Sequence, residues 1–284
     1  MKPEKLEPTQ KDFIRKNGRN IYWEYYGQQQ RETVCLLNGL AMSTHSWKSF
    51  LPFLLDKHDI LLFDYLGQGR SSCEDESYTI PSFGGHLRLI LDTLNLGKIH
   101  LMGISYGGFV ALDFARLYAD RLHTLTLSGT LLTHEVLFQL YQELSLRFYR
   151  GGSEGFDLYT HYMYEKIFGE SFARSIRNQL ESMREKFHRR YEDRVHCLIR
   201  LTEAQIPFFA QLNANLEGYR RIAVPTLIIV GAEDRVILPE VQRKICSIIP
   251  NTRFKTIPDA GHVVYLEKPD TFFGELKRFT TSDT

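Results

Sequence analysis

Gly103-Ile104-Ser105-Tyr106-Gly107 sets a serine between two glycines, directly after the apolar run 99–102 and directly before a helical pattern. A serine held in the sharp turn between strand and helix projects its Oγ above the sheet, and the glycines are needed because side chains there would collide with neighbouring backbone. The turn also puts the Tyr106 N–H beside a helix N-terminus, where a developing oxyanion would be stabilised. A serine hydroxyl is a poor nucleophile without a base. Of the ten histidines, His262 in Asp259-Ala260-Gly261-His262 falls between the last strand-like run and the final helix, where the carboxyl-end loops of a parallel sheet gather. The other nine, His45, His86 and His161 among them, have no such placement. The imidazole needs a carboxylate to fix its tautomer. Glu233 and Asp234 both stand just beyond the run 227–230; Asp234 is assigned that role and Glu233 that of a solvated turn residue. The chemistry such a set performs is acyl transfer through an acyl-enzyme on Ser105.

The elements that must position these residues are legible as short apolar runs at 33–37, 60–63, 99–102, 122–127 and 226–230, with a weaker one at 254–257. Runs of this kind, alternating with helical patterns at 83–94, 107–118, 241–249 and 271–279, predict an α/β protein with a mostly parallel sheet covered on both faces. Residues 12–26 alternate apolar and polar about Asn17-Gly18 and predict two antiparallel edge strands joined by a tight turn. From 133 to 223 the strand runs vanish, Pro207 is the lone proline, and fifteen of the chain's 36 Phe, Tyr and Trp occur. This stretch is expected to be a helical cap roofing a pocket. The domain reading is therefore a core of 1–132 and 224–284 and a cap of 133–223.

Thirty-five Lys+Arg against 34 Asp+Glu leave a formal charge of +1, which offers no field for nucleic acid or an anionic membrane. The longest apolar runs fall far short of the ~20 residues that span a bilayer. Residues 1–12 mix charge and proline without an apolar core, which argues against a cleavable secretory signal. The four cysteines, at 35, 73, 197 and 246, show no Cys-x-x-Cys spacing and are expected to be reduced, mostly packed thiols in a cytoplasmic setting. His196 and Cys197, adjacent in a presumed helix, should point in different directions, and no metal site is expected. The basic string 184–190 reads as a solvated helix face.

Taken together, the chain resembles the α/β-hydrolase fold superfamily over nearly its whole length. The order Ser105, Asp234, His262 is the order used there. Asp64-Tyr65-Leu66-Gly67-Gln68-Gly69-Arg70-Ser71 is similar to the family's Asp-x-x-Gly-x-Gly-x-Ser loop, in which Asp64 and Arg70 would be structural. Gly231-x-x-Asp234 and Gly261-His262 also match. Where many relatives carry His-Gly, this chain has Asn38-Gly39-Leu40-Ala41. The resemblance implies that the Leu40 N–H is the second oxyanion donor beside that of Tyr106, with Gly39 and Met42 as substrate-binding residues. Asn38 in place of His is similar to a branch that includes bacterial acyltransferases making 3-hydroxyalkanoyloxy-alkanoate lipids, a hint about substrate.

The resemblance implies a carboxylesterase-like serine hydrolase acting on a carboxylic ester or thioester, without metal or organic cofactor. The aromatic cap suggests a small to medium apolar or aryl-containing acyl group as the small-molecule partner. Serine at the nucleophile position argues against the dehalogenase and epoxide-hydrolase branches. A hydroxyalkanoyl-type acyltransferase, a lactonase or a carbon–carbon bond hydrolase would use the same three residues, and a non-enzymatic receptor on this fold is the remaining class. Oligomeric state is not legible.

Overall fold

A computed structural model describes residues 6–73 and 77–282; residues 1–5, on which part of the signal-peptide reading rests, lie outside them. The strands are β1 (Gln10–Lys16), β2 (Arg19–Tyr26), β3 (Thr33–Leu37), β4 (Asp59–Phe63), β5 (Ile99–Ile104), β6 (Leu122–Ser128), β7 (Thr226–Gly231) and β8 (Thr252–Ile257). They form one sheet in the order β1-β2-β4-β3-β5-β6-β7-β8. The β1–β2 and β2–β4 pairs are antiparallel and all others parallel. Asn17 and Gly18 make the hairpin turn at φ 53° and 77°, the left-handed conformations that a two-residue turn requires. Only β1 of this hairpin is an edge, because β2 pairs with β4 on its other side. The expectation of two edge strands fails there, since the hairpin's outer pairing partner lies far along the chain.

The apolar runs are continuous because both faces are covered. Cys35 and Leu37 enter one core with Leu101 and Val230, while Val34 and Leu36 enter the other with Met102 and Ile229. This period-2 division is the signature of a sheet sandwiched between helix layers. The first face is covered by α1 (Ile80–Thr93) and α2 (Tyr106–Leu117). Between β6 and β7 the chain makes no strand and seven helices: α3 (Val136–Arg150), α4 (Gly152–Ile167), α5 (Glu170–Ser175), α6 (Leu180–Tyr191), α7 (Val195–Glu203), α8 (Gln205–Ala210) and α9 (Leu212–Arg220). After β7 come α10 (Pro239–Arg243), then a 3-10 turn where one longer helix is predicted, and after β8 come α11 (Val264–Glu267) and α12 (Pro269–Thr281), which close the second face. No helix among the described residues is long and apolar enough to cross a membrane.

Cys73, in the segment between β4 and α1, is joined by a disulfide to Cys197 of α7, across 124 residues, with Cα atoms 6.2 Å apart. The expectation of reduced thiols therefore holds for Cys35 and Cys246 alone. His196 Nε2 stands 3.3 Å from the Cys73 sulfur and 3.4 Å from that of Cys197, so the reading that neighbouring His196 and Cys197 point apart is also corrected. Local spacing carries no trace of a pairing that the tertiary fold creates. Because disulfides persist in oxidising compartments, the cysteines no longer argue for a cytoplasmic setting.

Candidate active site

Strand order reverses at β3, which lies between β4 and β5, and the loops leaving β3 and β5 flank the crevice that such a reversal opens. Ser105 follows β5 immediately, with φ 49° and ψ −117°. That backbone is strained for a residue with a Cβ, and it is held by the Ser105 N–H donating to the Ser128 carbonyl at 2.8 Å. The flanking glycines are required by close approach. A Cβ on Gly103 would stand 2.3 Å from the Gly107 carbonyl oxygen, and one on Gly107 would stand 2.7 Å from the carbonyl oxygens of Leu37 and Asn38.

His262 Nε2 lies 2.9 Å from Ser105 Oγ, and His262 Nδ1 lies 2.9 Å from Asp234 Oδ2. A carboxylate only accepts, so Nδ1 carries the proton of the neutral ring and Nε2 is left to accept from the serine hydroxyl. Ser105, Asp234 and His262 thus form one hydrogen-bonded chain from three strand ends, with Asp234 and His262 buried and Ser105 partly buried. Asp234 Oδ1 accepts from the Val236 and Ile237 amides, each at 2.9 Å. This is an arrangement able to take the hydroxyl proton while Oγ attacks a carbonyl carbon.

Two supports were not legible in the sequence. Gln242 donates to Asp234 Oδ2 at 2.8 Å and accepts from the Gly129 N–H at 2.9 Å, tying the carboxylate to the end of β6. Gly129, at φ 60°, passes so near His262 that a Cβ there would stand 2.7 Å from the ring. Glu267 accepts from the Gly261 and Gly169 amides, both at 3.0 Å, and so clamps the histidine loop to the end of α4. Burial pushes the Glu267 carboxyl above the ordinary range. Glu233, read as a solvated turn residue, accepts from the Glu170 N–H at 2.6 Å. No local motif marks Gln242 or Glu267, because each acts across a contact between elements.

The loop after β3 abuts the serine: a Cβ on Gly39 would stand 3.7 Å from the Ser105 Cβ. Tyr106 is the first residue of α2, so its N–H has no intrahelical acceptor. Met42 packs its sulfur 3.3 Å from the Gly39 nitrogen. Asn38 turns away from the crevice. Its amide donates to the Phe63 carbonyl at 2.9 Å and accepts from the Trp47 indole N–H at 2.7 Å, in full burial. Its identity is thereby explained by bracing the loop from behind, which removes it as a hint about substrate. Asp64 accepts from the Thr44 and Arg70 amides at 2.7 and 2.9 Å. Burial pushes its carboxyl up to about 6. The Arg70 guanidinium lies over the Tyr22 ring, 4.3 Å from its centre, and makes no contact with the crevice.

Above Ser105 and His262 is a cavity of about 400 Å³ whose wall also includes Gly39, Leu40, Met42 and Tyr106. Its far side is made by the α3–α8 region, with Phe138, Tyr141, Tyr159, Met163 and Phe187 contributing. Of the basic string 184–190, Phe187 and Arg190 reach this wall, while Arg189 pairs with Glu185 of its own helix at 3.8 Å. His45, His86 and His161 take no part in the wall.

A family model described as the alpha/beta hydrolase fold matches residues 32–269. The chain is 23% identical over 273 residues to the 2-hydroxy-6-oxo-6-(2'-aminophenyl)hexa-2,4-dienoic acid hydrolase of Metapseudomonas resinovorans, covering 90% of this chain and 86% of that one. It superposes on MGS-M2, an alpha/beta hydrolase enzyme from a Medee basin deep-sea metagenome library, with a TM-score of 0.86 at 25% identity, over 96% of this chain and 98% of that one. A thermophilic esterase from Thermogutta terrifontis gives a TM-score of 0.79 at 25% identity with the same coverage. The match runs from before β3 to the start of the last helix, and with the sheet order and the likeness in three dimensions it leads to one conclusion: the chain belongs to the α/β-hydrolase fold family.

Proposed function

We propose that this protein is a serine hydrolase that cleaves a carboxylic ester or thioester through an acyl-enzyme on Ser105. The carrying observation is the unbroken hydrogen-bonded chain from Ser105 Oγ through His262 to Asp234 Oδ2. In this reading Ser105 attacks the carbonyl carbon, His262 Nε2 takes the hydroxyl proton, and Asp234 stabilises the imidazolium that forms. The Leu40 and Tyr106 amides hold the tetrahedral oxyanion. The protonated His262 then gives its proton to the departing alcohol or thiol, and water repeats the sequence to free the acid.

Residues 133–223 act as a cap over the core of 1–132 and 224–284, and Gly39 and Met42 belong to the wall that receives the acyl group. The aromatic residues on the cavity's far side support an acyl group of small to medium size. The relatedness to an esterase favours an oxygen or sulfur leaving group. The relatedness to a dienoic acid hydrolase favours, as a second reading, cleavage of a carbon–carbon bond with the same serine.

A fluorophosphonate probe and a panel of p-nitrophenyl esters from acetate to decanoate test the proposal. Labelling of wild type but not of Ser105→Ala, with turnover peaking at one chain length, is the expected result. A wild-type protein that takes no label and hydrolyses no member of the panel sinks the ester reading, and turnover of a 2-hydroxy-6-oxo-dienoate by that same protein would replace it with the carbon–carbon one.

A further inference from the structure

The cavity wall changes character with distance from the serine loop. Beside Ser105 it is built from Leu40, Ala41, Ile104, Val236, Val263 and Leu266. The part contributed by α3, α7 and α8 instead presents Gln142, Ser145, Thr202 and Gln205, all four buried. Phe138, Tyr141, Gln142 and Ser145 follow the i, i+3, i+4, i+7 spacing of one helix face, so Gln142 occupies a place in α3 where an apolar side chain would serve packing better.

Two of these polar groups are already engaged. Ser145 Oγ donates to the Tyr141 carbonyl at 2.8 Å, and the Gln205 amide donates to the Thr202 carbonyl at 3.5 Å. The Gln142 side-chain nitrogen is different. It is buried, the residue being 8% exposed, and it has no hydrogen-bond partner among the described residues. A buried donor left unmade costs about 1–3 kcal/mol, and one that lines a cavity can be completed by what the cavity binds.

We propose that Gln142, with Thr202 and Gln205 beside it, forms a polar subsite that binds a neutral hydrogen-bond-accepting oxygen carried by the acyl group away from the carbonyl that is attacked. The proposal rests on the reading that this cavity receives the acyl group of a Ser105 substrate. A keto oxygen fits the site. Gln142, Thr202 and Gln205 carry no formal charge and so offer a carboxylate no counter-charge of their own, while Arg190, which also lines the cavity, belongs to α6 and not to the helices that carry the subsite. The acyl group is then of mixed character, apolar where it passes Val236 and Leu266 and carbonyl-bearing where it meets α3. This narrows the purely apolar group suggested by aromatic composition.

The test compares p-nitrophenyl 5-oxohexanoate with p-nitrophenyl hexanoate, which differ by one acceptor oxygen. Wild type is expected to favour the oxo ester about tenfold in kcat/KM, mainly through KM, as one hydrogen bond to a buried donor gives about that factor. Gln142→Met, which keeps the length and removes the donor, should bring the ratio to unity or below. Binding of methyl 5-oxohexanoate and methyl hexanoate to Ser105→Ala, followed by saturation-transfer NMR, separates this inference from the hydrolase reading. Tighter binding of the oxo ester, lost in the Ser105→Ala/Gln142→Met double variant, supports the subsite even if wild type hydrolyses neither ester. Equal or absent binding of the two methyl esters overturns it whatever the kinetics.

Discussion

Gln242 donates to the same Asp234 oxygen, Oδ2, that accepts from His262 Nδ1, at 2.8 and 2.9 Å respectively. One carboxylate oxygen is thus pinned on two sides, and the histidine ring takes its orientation from a carboxylate that cannot swing. Gln242→Leu removes one of the two side chains that hold Asp234 Oδ2, while Oδ1 stays on the Val236 and Ile237 amides, and it strips the Gly129 N–H of its acceptor. The expected result is a fall in kcat of about tenfold to a hundredfold with KM little changed, the pattern of an interaction needed in the transition state. Steady-state kinetics on the best ester of the panel checks it, and a rise in KM alone would place Gln242 outside the positioning role.

Ser105→Ala is expected to reduce kcat at least about a thousandfold, because the proposed mechanism forms no acyl-enzyme without that nucleophile and keeps only binding and oxyanion contacts. The variant should be about as stable to urea as wild type, since alanine keeps the Cβ that strains the backbone at φ 49°. Equilibrium unfolding reads this directly. A large loss of stability would show that the Ser105 hydroxyl holds the fold together as well as the site.

Asn38→Leu strands the Trp47 indole N–H and the Phe63 carbonyl in the buried layer behind Gly39. At about 1–3 kcal/mol for each unsatisfied group, the variant is expected to lose at least about 2 kcal/mol of stability. Trp47 is one of only two tryptophans, so a change in its fluorescence should accompany the loss. An unaltered urea midpoint would mean that the indole and the carbonyl find other partners.

Asp64 makes stability depend on pH in a definite direction. Its carboxyl is ordinary at 3.8 when unfolded and, by burial, pushed up to about 6 in the folded chain. The folded state therefore binds this proton more tightly. The stabilisation from that proton is fully present below about pH 4 and is lost as pH climbs to about 6, a difference of roughly 3 kcal/mol. Asp64→Asn removes the slope. The gap between wild type and variant, followed by urea unfolding from pH 4 to pH 7, should move against wild type as pH rises, and a gap that is flat or moves the other way contradicts the assignment.

The Cys73–Cys197 bond closes a loop of 124 residues between the core and α7. Reduction, or Cys73→Ser, is expected to cost roughly 2–4 kcal/mol. Thiol titration in denaturant should count two reactive thiols before reduction and four after it. Four before reduction would show that the bond is not formed.

Strands β3 to β7 were legible because each is a short apolar run buried on both faces, as at Val34 to Leu37, and the hairpin because Asn17-Gly18 suits left-handed backbone; β8, largely exposed, left only a weak run. Ser105, Asp234 and His262 could be grouped in advance since each follows a strand-like run closely, and the fold brings those strand ends together. What stayed hidden depends on contacts between distant elements. Gln242 is an unremarked residue of α10 until β6 is laid beside it, Cys73 and Cys197 meet only after α7 docks, and Asn38 reads as a departure from a motif until Trp47 is seen at its side chain. The place of β2 within the sheet was hidden for the same reason, its partner β4 being encoded beyond β3.

The helices between β6 and β7 also divide the site in time. Ser105 is translated early, whereas Asp234 and His262 lie beyond the whole excursion and reach it only once β7 has paired with β6 and β8 with β7. A nascent chain emerging from the ribosome carries Ser105 with neither His262 nor Asp234, the base and the orienting carboxylate of the proposed mechanism. On that mechanism it is chemically silent until the last two strands dock. Any lesion that delays that docking, including a failed contact of α10 with Gly129, is then felt as a protein that is made and partly folded yet inert.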